Sequence, residues 1–343
     1  MTHAPVPVSG PDTLWFTRCP VPTATGVAAD RDWLAAEFAP DGITVRSLQD
    51  AAPDVDDARR GTHFTHSLPG LFREGGNVPA LWARSRGERT RLIGLTWIEE
   101  RQAVLVAPES GIRGAAALRA LRLAVPEHDI AIDFWRAMAL RGFEGALASA
   151  GHTLEDAVLV DVPAGDHRGQ WADELAALMR GDVDAVYVKG ALAVEAARRA
   201  GAEVAVELDE LPSRTHRVNN GTPRPITVHQ SLLDERPDLV DRFLAVLLGA
   251  ADWAEGRPEE VNRILGAETG AGSEGVRGAY RPGTHRALHP DLSEERLALL
   301  AQQESALRAH GFLPEPVDVR AWADPEPLRR ARLLAADRDR ASV

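Results

Sequence analysis

The sequence has a single cysteine, Cys19, among 343 residues, and only 5% of its residues are aromatic. One thiol cannot form an intramolecular disulfide, and any zinc site that needs two or more thiolates is excluded. Because aromatic side chains are few, we expect a hydrophobic core built mostly of Ala, Leu and Val. No run of about 18 apolar residues occurs, so no transmembrane helix is expected.

Positive charge is also scarce. Lys and Arg number 39 against 51 Asp and Glu, which gives a formal net charge of −12 at pH 7. The cationic stretches at 84–91 and 320–340 are interleaved with acidic or apolar residues. The sequence therefore predicts no binding to nucleic acid or to anionic membranes. The segment MTHAPVPVSGPDT lacks the basic and apolar regions of a signal peptide, so we expect a polar arm and a cytoplasmic protein.

Strand-like apolar runs alternate with helical patterns along the chain, which predicts an α/β fold with largely parallel sheets. In the last third, 226–233 has the pattern of a strand and Pro237–Glu255 that of a helix with proline in its first turn. A long helix is predicted over 291–311. Asp291 would begin its capping box and Gly311 would occupy the C′ position.

Two polar stretches that contain Gly and Pro, at 107–111 and 211–225, bracket the middle third of the chain. We interpret them as two crossings between domains. The prediction is a discontinuous first domain, formed by 1–107 and 222–343, and an inserted second α/β domain, 108–221. A cleft between two such domains, at the ends of their strands, is where α/β proteins bind ligands.

Two motifs are better explained by structure than by function. The G-x-G-x-x-G pattern at 270–275 follows a predicted helix instead of a strand, so turn glycines explain it better than a dinucleotide site. His63 and His66 could meet on one helix face and share a metal ion. No third ligand lies at a suitable spacing, and the Pro-Gly pair at 69–70 argues against a long helix. No metal site is predicted.

A third group of residues favours function: Cys19 in TRCPVP, His63 in THFTH and Arg73 in FREGG. Cys19 follows the first predicted strand, so its thiol is expected at a strand end, and a cysteine nucleophile needs a partner such as histidine. An arginine fork suits an anionic oxyacid, to which Gly75 and Gly76 could offer backbone N–H groups. Each residue also has a structural interpretation, because a lone cysteine is usually a small buried hydrophobe.

These blocks resemble the 2′-hydroxybiphenyl-2-sulfinate desulfinase family, which performs the last step of dibenzothiophene desulfurisation. The similar features are CPVP around Cys19, HFT beginning at His63, and an arginine ten residues later that is followed by Gly-Gly. A looser resemblance continues at 89–96, 181–187, 236–243 and 315–326, and so covers nearly the whole chain. These later blocks also resemble periplasmic-type solute-binding proteins for sulfonates, nitrate and pyrimidine precursors.

The resemblance implies a two-domain, type II periplasmic-binding-protein-like fold with an interdomain cleft. It implies a cytoplasmic, monomeric desulfinase that releases sulfite from a small-molecule sulfinate and uses neither cofactor nor metal. Cys19 would be the essential cysteine, His63 the histidine beside it and Arg73 the sulfinate-binding arginine, while Gly76 would bring a backbone N–H to the site. The predicted residues are Cys19 and His63 for catalysis and Arg73, Gly75, Gly76, Phe64 and Trp135 for substrate binding.

Two mechanisms stay open at this point. In one, the Cys19 thiolate attacks the sulfinate sulfur, the carbon leaves with a proton, and water releases sulfite from the adduct. In the other, Cys19 donates a proton to the carbon that bears the sulfinate, and water then takes the sulfur dioxide equivalent. His63 would orient or stabilise Cys19 in both.

The chain also departs from the family pattern. His66 stands where the resemblance leads us to expect tyrosine, Leu68 replaces a polar residue, and Glu74 replaces an aromatic residue between the arginine and Gly-Gly. Arg18 precedes the cysteine. These positions would line or flank the pocket, so the sulfinate is expected to be another aryl or alkyl compound as readily as the hydroxybiphenyl one.

Two further hypotheses use the same fold. A cytoplasmic solute-binding relative would hold a sulfonate or sulfinate without turnover, through the same cleft and Arg73. An enzyme such as a pyrimidine-precursor synthase would have no evident need for Arg73 and Gly75–Gly76 beside a lone cysteine.

Overall fold

The computed structural model describes residues 12–17, 21–49, 56–165 and 170–341. In these ranges, ten strands form two five-stranded sheets. The strands are β1 (Thr13–Thr17), β2 (Thr44–Ser47), β3 (Leu71–Glu74), β4 (Thr90–Thr96), β5 (Gln102–Val106), β6 (Arg122–Glu127), β7 (Val158–Pro163), β8 (Ala185–Lys189), β9 (Glu203–Glu207) and β10 (Arg224–His229).

The strand order is β2-β1-β3-β10-β4 in the first sheet and β7-β6-β8-β5-β9 in the second. β1 is parallel to β2 and β3, but β10 is antiparallel to both of its neighbours, β3 and β4. In the second sheet β6 is parallel to β7 and β8, whereas β5 is antiparallel to β8 and β9. Four strands of each sheet thus run in the same direction and one runs against them, so the sheets are largely parallel, as predicted, but not purely so. Each sheet is mixed because one strand enters it from the other sheet in the opposite direction.

Helices cover the faces of these sheets. They are α1 (Ala24–Asp30), α2 (Trp33–Phe38), α3 (Asp57–Thr65), α4 (Asn77–Ser85), α5 (Phe134–Ser149), α6 (Ala172–Arg180), α7 (Ala191–Ala200), α8 (Gln230–Glu235), α9 (Pro237–Glu255), α10 (Pro258–Thr269), α11 (Ser273–Ala279), α12 (Glu294–Ala309), α13 (Val319–Trp322) and α14 (Glu326–Ala341). No helix in the described ranges is both long and apolar enough to cross a membrane.

The largest hydrophobic core lies between the first sheet and α9. Most of α9 is buried, including the six consecutive residues 243–248, so the helix packs on more than one face. Phe72 of β3 stacks on Phe243 of α9, with ring centroids 3.8 Å apart and an interplanar angle of 6°. This packing fixes the central strand β3, which also carries Arg73 on its other face.

The crossing between the sheets lies earlier in the chain than the predicted boundary at residue 107. β5 ends at Val106 and would belong to the first domain on that prediction, yet it pairs with β8 and β9 in the second sheet. The chain leaves the first sheet after Thr96, through a segment in which Trp97 and Ile98 are buried. That segment lacks the Gly and Pro residues used as a boundary signal, which explains the difference.

Two helix boundaries also differ from the prediction. The helix expected over 291–311 begins at Glu294, and its N-cap is Ser293, whose side chain accepts from the Arg296 backbone N, instead of Asp291. Gly311 has a φ of 76° and occupies the C′ position, as predicted. The strand predicted over 226–233 ends at His229, and the chain continues as α8, because the His229 side chain caps that helix.

Candidate active site

His63 lies in the last turn of α3. This helix begins at an N-cap, Asp56, whose side chain accepts from the Arg59 backbone N at 2.7 Å. It ends at Thr65, because His66 takes the left-handed conformation with a φ of 56°. The two histidines therefore do not share the helix face on which a metal site was considered. Among the described residues, no three His, Cys, Asp or Glu side chains come close enough together to hold a metal ion.

The electrostatic surroundings keep His63 neutral. Burial lowers its pKa well below the usual 6.5, and the nearby positive charges of Arg73 and Arg224 lower it further. The Nδ1 atom is buried and has no hydrogen-bond partner among the described residues. At pH 7 the imidazole is therefore an uncharged ring that can accept a proton or orient a neighbouring donor.

Arg73 lies in the middle of the first sheet. It pairs with Thr17 of β1 on one side and with Thr227 of β10 on the other, and its side chain is only 1% exposed. The guanidinium Nε donates to the His63 backbone oxygen at 3.0 Å. A Cβ atom at Gly75 would lie 2.7 Å from Arg73 Nη1. Gly75 is thus the residue that leaves room for the guanidinium group.

Gly76 is the N-cap of α4 and is packed against a loop that returns from the second sheet. A Cβ atom there would lie 2.1 Å from the Asn220 Oδ1 atom, which accepts from the Val78 backbone N at 3.1 Å. The neighbouring Asn77 side chain donates to the Asn219 oxygen at 2.7 Å. This glycine therefore permits close contact between the start of α4 and the loop at 219–223.

A cavity of about 320 Å³ brings these residues together. Elements of both sheet layers line it: α3, β3 and α4 on one side, and α5, β8 and α7 on the other. Of the residues predicted from sequence, His63, Phe64, Arg73, Gly76 and Trp135 line this cavity. Gly75 does not line the cavity. Its lack of a side chain leaves the space that the Arg73 guanidinium group occupies. Cys19 lies outside the described residues.

Aromatic side chains form one wall of the cavity. Phe64 stacks on Phe134 with ring centroids 6.1 Å apart, and Trp135 meets Trp171 edge to face at 5.6 Å. All four residues line the cavity. Such pairs bury large apolar surfaces in fixed orientations, so this wall suits a planar apolar ring.

Three of the four positions at which the chain departs from the family pattern, His66, Leu68 and Glu74, lie outside the cavity lining. His66 and Glu74 are buried, and Leu68 packs with Trp15 and Leu71. Burial raises the pKa of Glu74, although hydrogen bonds from Thr25 oppose this effect. Arg18, the fourth such position, is outside the described residues.

Sequence reasoning missed three charged residues of the cavity: Glu100, Lys189 and Arg224. Lys189 ends β8 directly before Gly190, and Arg224 begins β10 after a proline. Lys189 Nζ lies 3.1 Å from Glu100 Oε2. The position of Lys189 at a strand end was a signal that could have identified it, because ligands of α/β proteins bind at such ends.

The chain is similar in sequence to known desulfinases. It is 31% identical to 2′-hydroxybiphenyl-2-sulfinate desulfinase of Rhodococcus erythropolis over 366 aligned positions, covering 92% of each protein. The identity and coverage are the same for 2′-hydroxybiphenyl-2-sulfinate desulfinase of Rhodococcus qingshengii. A family described as NMT1/THI5 like matches residues 81–261.

Solved structures agree with this similarity. A cysteine-to-serine mutant of DszB in complex with biphenyl-2-sulfinic acid superposes with a TM-score of 0.73 and 26% identity, covering 94% of this chain and 99% of that chain. The aliphatic sulphonate binding protein SsuA of Escherichia coli gives a TM-score of 0.69 at 16% identity, with 92% and 93% covered, which is a similarity of fold. The periplasmic-binding-protein-like fold is thereby confirmed, and the chain belongs to the 2′-hydroxybiphenyl-2-sulfinate desulfinase family of enzymes.

Proposed function

We propose that the protein hydrolyses the C–S bond of an aryl sulfinate and releases sulfite. The observation that carries this proposal is that one cavity holds a buried arginine, Arg73, and a wall of four aromatic side chains. An aryl sulfinate has the matching parts, an anionic oxyacid group and a flat apolar ring. A volume of about 320 Å³ is within the usual range for small-molecule sites.

The sulfinate group would bind at Arg73. A guanidinium group can donate two parallel hydrogen bonds to the two oxygens of an oxyacid. Gly76, at the start of α4, adds the positive end of that helix to the same part of the cavity. Local cations thus draw an anion into a protein whose formal net charge is −12.

Cys19 would perform the chemistry with His63. Val21, two residues after Cys19, lines the cavity, and the relative solved with biphenyl-2-sulfinic acid is a cysteine-to-serine mutant. Neutral His63 could take the thiol proton, after which the thiolate attacks sulfur and forms a Cys–S–SO₂⁻ adduct. The C–S bond breaks, and the ring carbon takes the proton held by His63 to give the arene. Water then returns the thiol and bisulfite. In the alternative, the thiol protonates the carbon, sulfur dioxide leaves, and water converts it to bisulfite while the proton returns to the thiolate.

The aromatic wall predicts a preference for aryl over alkyl sulfinates. We expect sulfite release from benzenesulfinate and biphenyl-2-sulfinate with a kcat/KM at least about tenfold above that for methanesulfinate, because the rings bury apolar surface that a methyl group lacks. A colorimetric sulfite assay over this panel tests the proposal. Absence of sulfite from every sulfinate would contradict it, and binding of the same compounds without turnover would favour the solute-binding hypothesis.

The low pKa of His63 predicts the pH dependence of the reaction. Because burial and the two nearby cations Arg73 and Arg224 disfavour the imidazolium, wild-type kcat/KM should fall only well below pH 6.5. Arg224→Met removes one of the two cations, so the pKa of His63 should rise and the acid limb should move to higher pH. Arg122→Met is the matched control, since Arg122 pairs with Asp184 outside the cavity lining. An acid limb that stays in place in Arg224→Met would argue against His63 as the titrating group.

Close packing at Gly76 predicts a loss of activity in Gly76→Ala. The new Cβ atom would lie 2.1 Å from Asn220 Oδ1 and would displace that side chain, so kcat/KM should fall about tenfold, the scale of one lost hydrogen bond. The double variant Gly76→Ala/Asn220→Ala removes the contact and should recover part of the loss. Gly61→Ala in α3 is the control, because nothing lies within 4 Å of its Cβ position. Full activity in Gly76→Ala would show that this contact does not shape the site.

A further inference from the structure

Arg224 is a buried cation of the cavity to which sequence reasoning gave no role. It begins β10, is 4% exposed and lines the cavity. Within the described ranges, its buried Nε has no hydrogen-bond partner and no carboxylate forms an ion pair with it. A buried guanidinium group is normally paired with an anion. Arg224 thus faces the cavity with no carboxylate in ion-pair contact with its guanidinium group among the described residues.

The acidic residue that lines the cavity, Glu100, is already engaged. Glu100 pairs with Lys189 at 3.1 Å and accepts from the Tyr280 hydroxyl at 3.5 Å. Lys189 also donates to the Asn220 backbone oxygen. Glu100 is therefore paired with Lys189 and forms no ion pair with Arg224.

A second carboxylate, Glu74, lies close enough for Arg224 to lower its pKa, but burial outweighs that effect and raises the pKa overall. The Glu74 oxygens accept from the Thr25 hydroxyl at 2.6 Å and from the Thr96 hydroxyl at 3.3 Å. Glu74 is thus bonded to hydroxyl groups and leaves the guanidinium of Arg224 without an anionic contact.

Arg224 and Arg73 approach the cavity from different sides. Thr227 is the partner of Arg73 in the antiparallel pair of β3 and β10. Successive side chains of a strand point to opposite faces. Arg224 is three positions from Thr227, so it leaves β10 on the face of Ile226, which packs in the core under α9. The two arginine side chains therefore leave the first sheet on opposite faces, although both line the same cavity.

The loop before β10 makes room for the Arg224 side chain. Gly221 has a φ of 91°, and a Cβ atom there would lie 2.5 Å from Arg224 Nη2 and 3.4 Å from Lys189 Nζ. Two cationic side chains thus come together at a backbone position that only glycine fits. The resulting positive potential favours a full negative charge over a neutral hydroxyl group.

We propose that Arg224 binds a second anionic group of the substrate, a carboxylate on the aryl ring, so that the preferred substrates are carboxylated aryl sulfinates. This inference rests on the proposed desulfinase function, in which Arg73 holds the sulfinate. Arg224 would be a specificity-determining residue, because it would bind a part of the substrate that does not react.

The test compares benzenesulfinate with 2-, 3- and 4-sulfinobenzoate, and with the carboxamide of the isomer that reacts best. For wild type, kcat/KM for that isomer should exceed the values for benzenesulfinate and for the carboxamide at least about tenfold, as expected for a charge-assisted hydrogen bond. In Arg224→Met this selectivity should fall at least about tenfold, and Arg224→Lys should keep part of it. Melting temperatures show whether each variant is folded. If Arg224→Met does not fold, the inference is tested by the selectivity of Arg224→Lys and by the wild-type preference for the carboxylate over the carboxamide.

Two outcomes would overturn the inference. One is a wild type without preference for any carboxylated isomer. The other is an equal loss for benzenesulfinate and the sulfinobenzoate in Arg224→Met, which would mean that Arg224 binds the sulfinate itself. Failure of the proposed function has a different signature, the absence of sulfite from benzenesulfinate. In that case calorimetric Kd values for the sulfobenzoates and benzenesulfonate test the selectivity of Arg224 without turnover.

Discussion

Cys19→Ser should lower sulfite release by at least about 10³-fold, the scale of losing a residue that takes part in bond making. A serine hydroxyl is both a much weaker acid than a thiol and a poorer nucleophile near neutral pH, so either mechanism would fail. Binding should persist, because Arg73 and the aromatic wall are untouched. Steady-state sulfite release and calorimetric Kd values for biphenyl-2-sulfinate measure the two effects separately.

The presence of one cysteine gives this prediction a sharp control. Alkylation of the wild type can modify only one thiol per chain. The loss of activity should therefore be proportional to the fraction of Cys19 that is alkylated. A bound sulfinate should slow both the alkylation and the loss of activity. Cys19→Ala should behave as Cys19→Ser does. Wild-type rates in either variant would remove Cys19 from the reaction.

The two mechanisms can be separated by the intact mass of the enzyme during turnover. Attack on sulfur predicts an enzyme species that carries SO₂ on Cys19 and decays as sulfite appears. Protonation of carbon predicts no such species and a solvent deuterium isotope effect on the formation of the arene, because proton transfer to carbon would then limit the rate.

Arg73→Met should reduce kcat/KM by roughly 10²–10³-fold, the scale measured when one partner of a buried charge pair is removed. Arg73 is 1% exposed and its Nε donates to the His63 backbone oxygen. Arg73→Lys keeps the charge but loses the planar fork, so substrate binding should weaken by about 1–3 kcal/mol, mainly as a higher KM. Initial rates over a range of sulfinate concentrations separate KM from kcat.

Because Arg73 also contacts α3, the control must distinguish binding from folding. Arg122→Met removes an arginine that pairs with Asp184 at 2.7 Å on the second sheet, and it should leave kcat/KM unchanged. Melting temperatures of Arg73→Met and Arg122→Met report any general loss of stability. An unchanged KM and kcat in Arg73→Lys would place Arg73 outside the site.

Sequence reasoning predicted residues that line the cavity, such as His63 and Arg73, better than it predicted the strands that hold them. Local signals were enough for His63 and Arg73, because their residue types and neighbours carry the family resemblance. The strand β3 that holds Arg73 was not predicted, since the four residues Leu71–Glu74 include two charged side chains and lack any apolar/polar alternation. Burial of those charges becomes possible only through partners far away in the chain, such as Thr25 and Thr96 for Glu74.

Arg224 could not be predicted for the same reason. Its sequence context, a charged residue between two prolines, is typical of an exposed turn. Its burial depends on β10 joining β3 and β4, and on the contact between the 219–223 loop and the start of α4. Pairing across more than a hundred residues is a property of the fold and leaves no local pattern.

The most direct test of the central claim is the simultaneous measurement of both products from a single aryl sulfinate. Purified wild-type protein is incubated with 2′-hydroxybiphenyl-2-sulfinate, sulfite is titrated, and the arene is measured by chromatography, with Cys19→Ser in parallel. Hydrolysis of the C–S bond predicts sulfite and 2-hydroxybiphenyl in equal amounts over many turnovers from the wild type, and neither from Cys19→Ser. Tight binding of the sulfinate without either product, or equal rates from both proteins, would contradict the account.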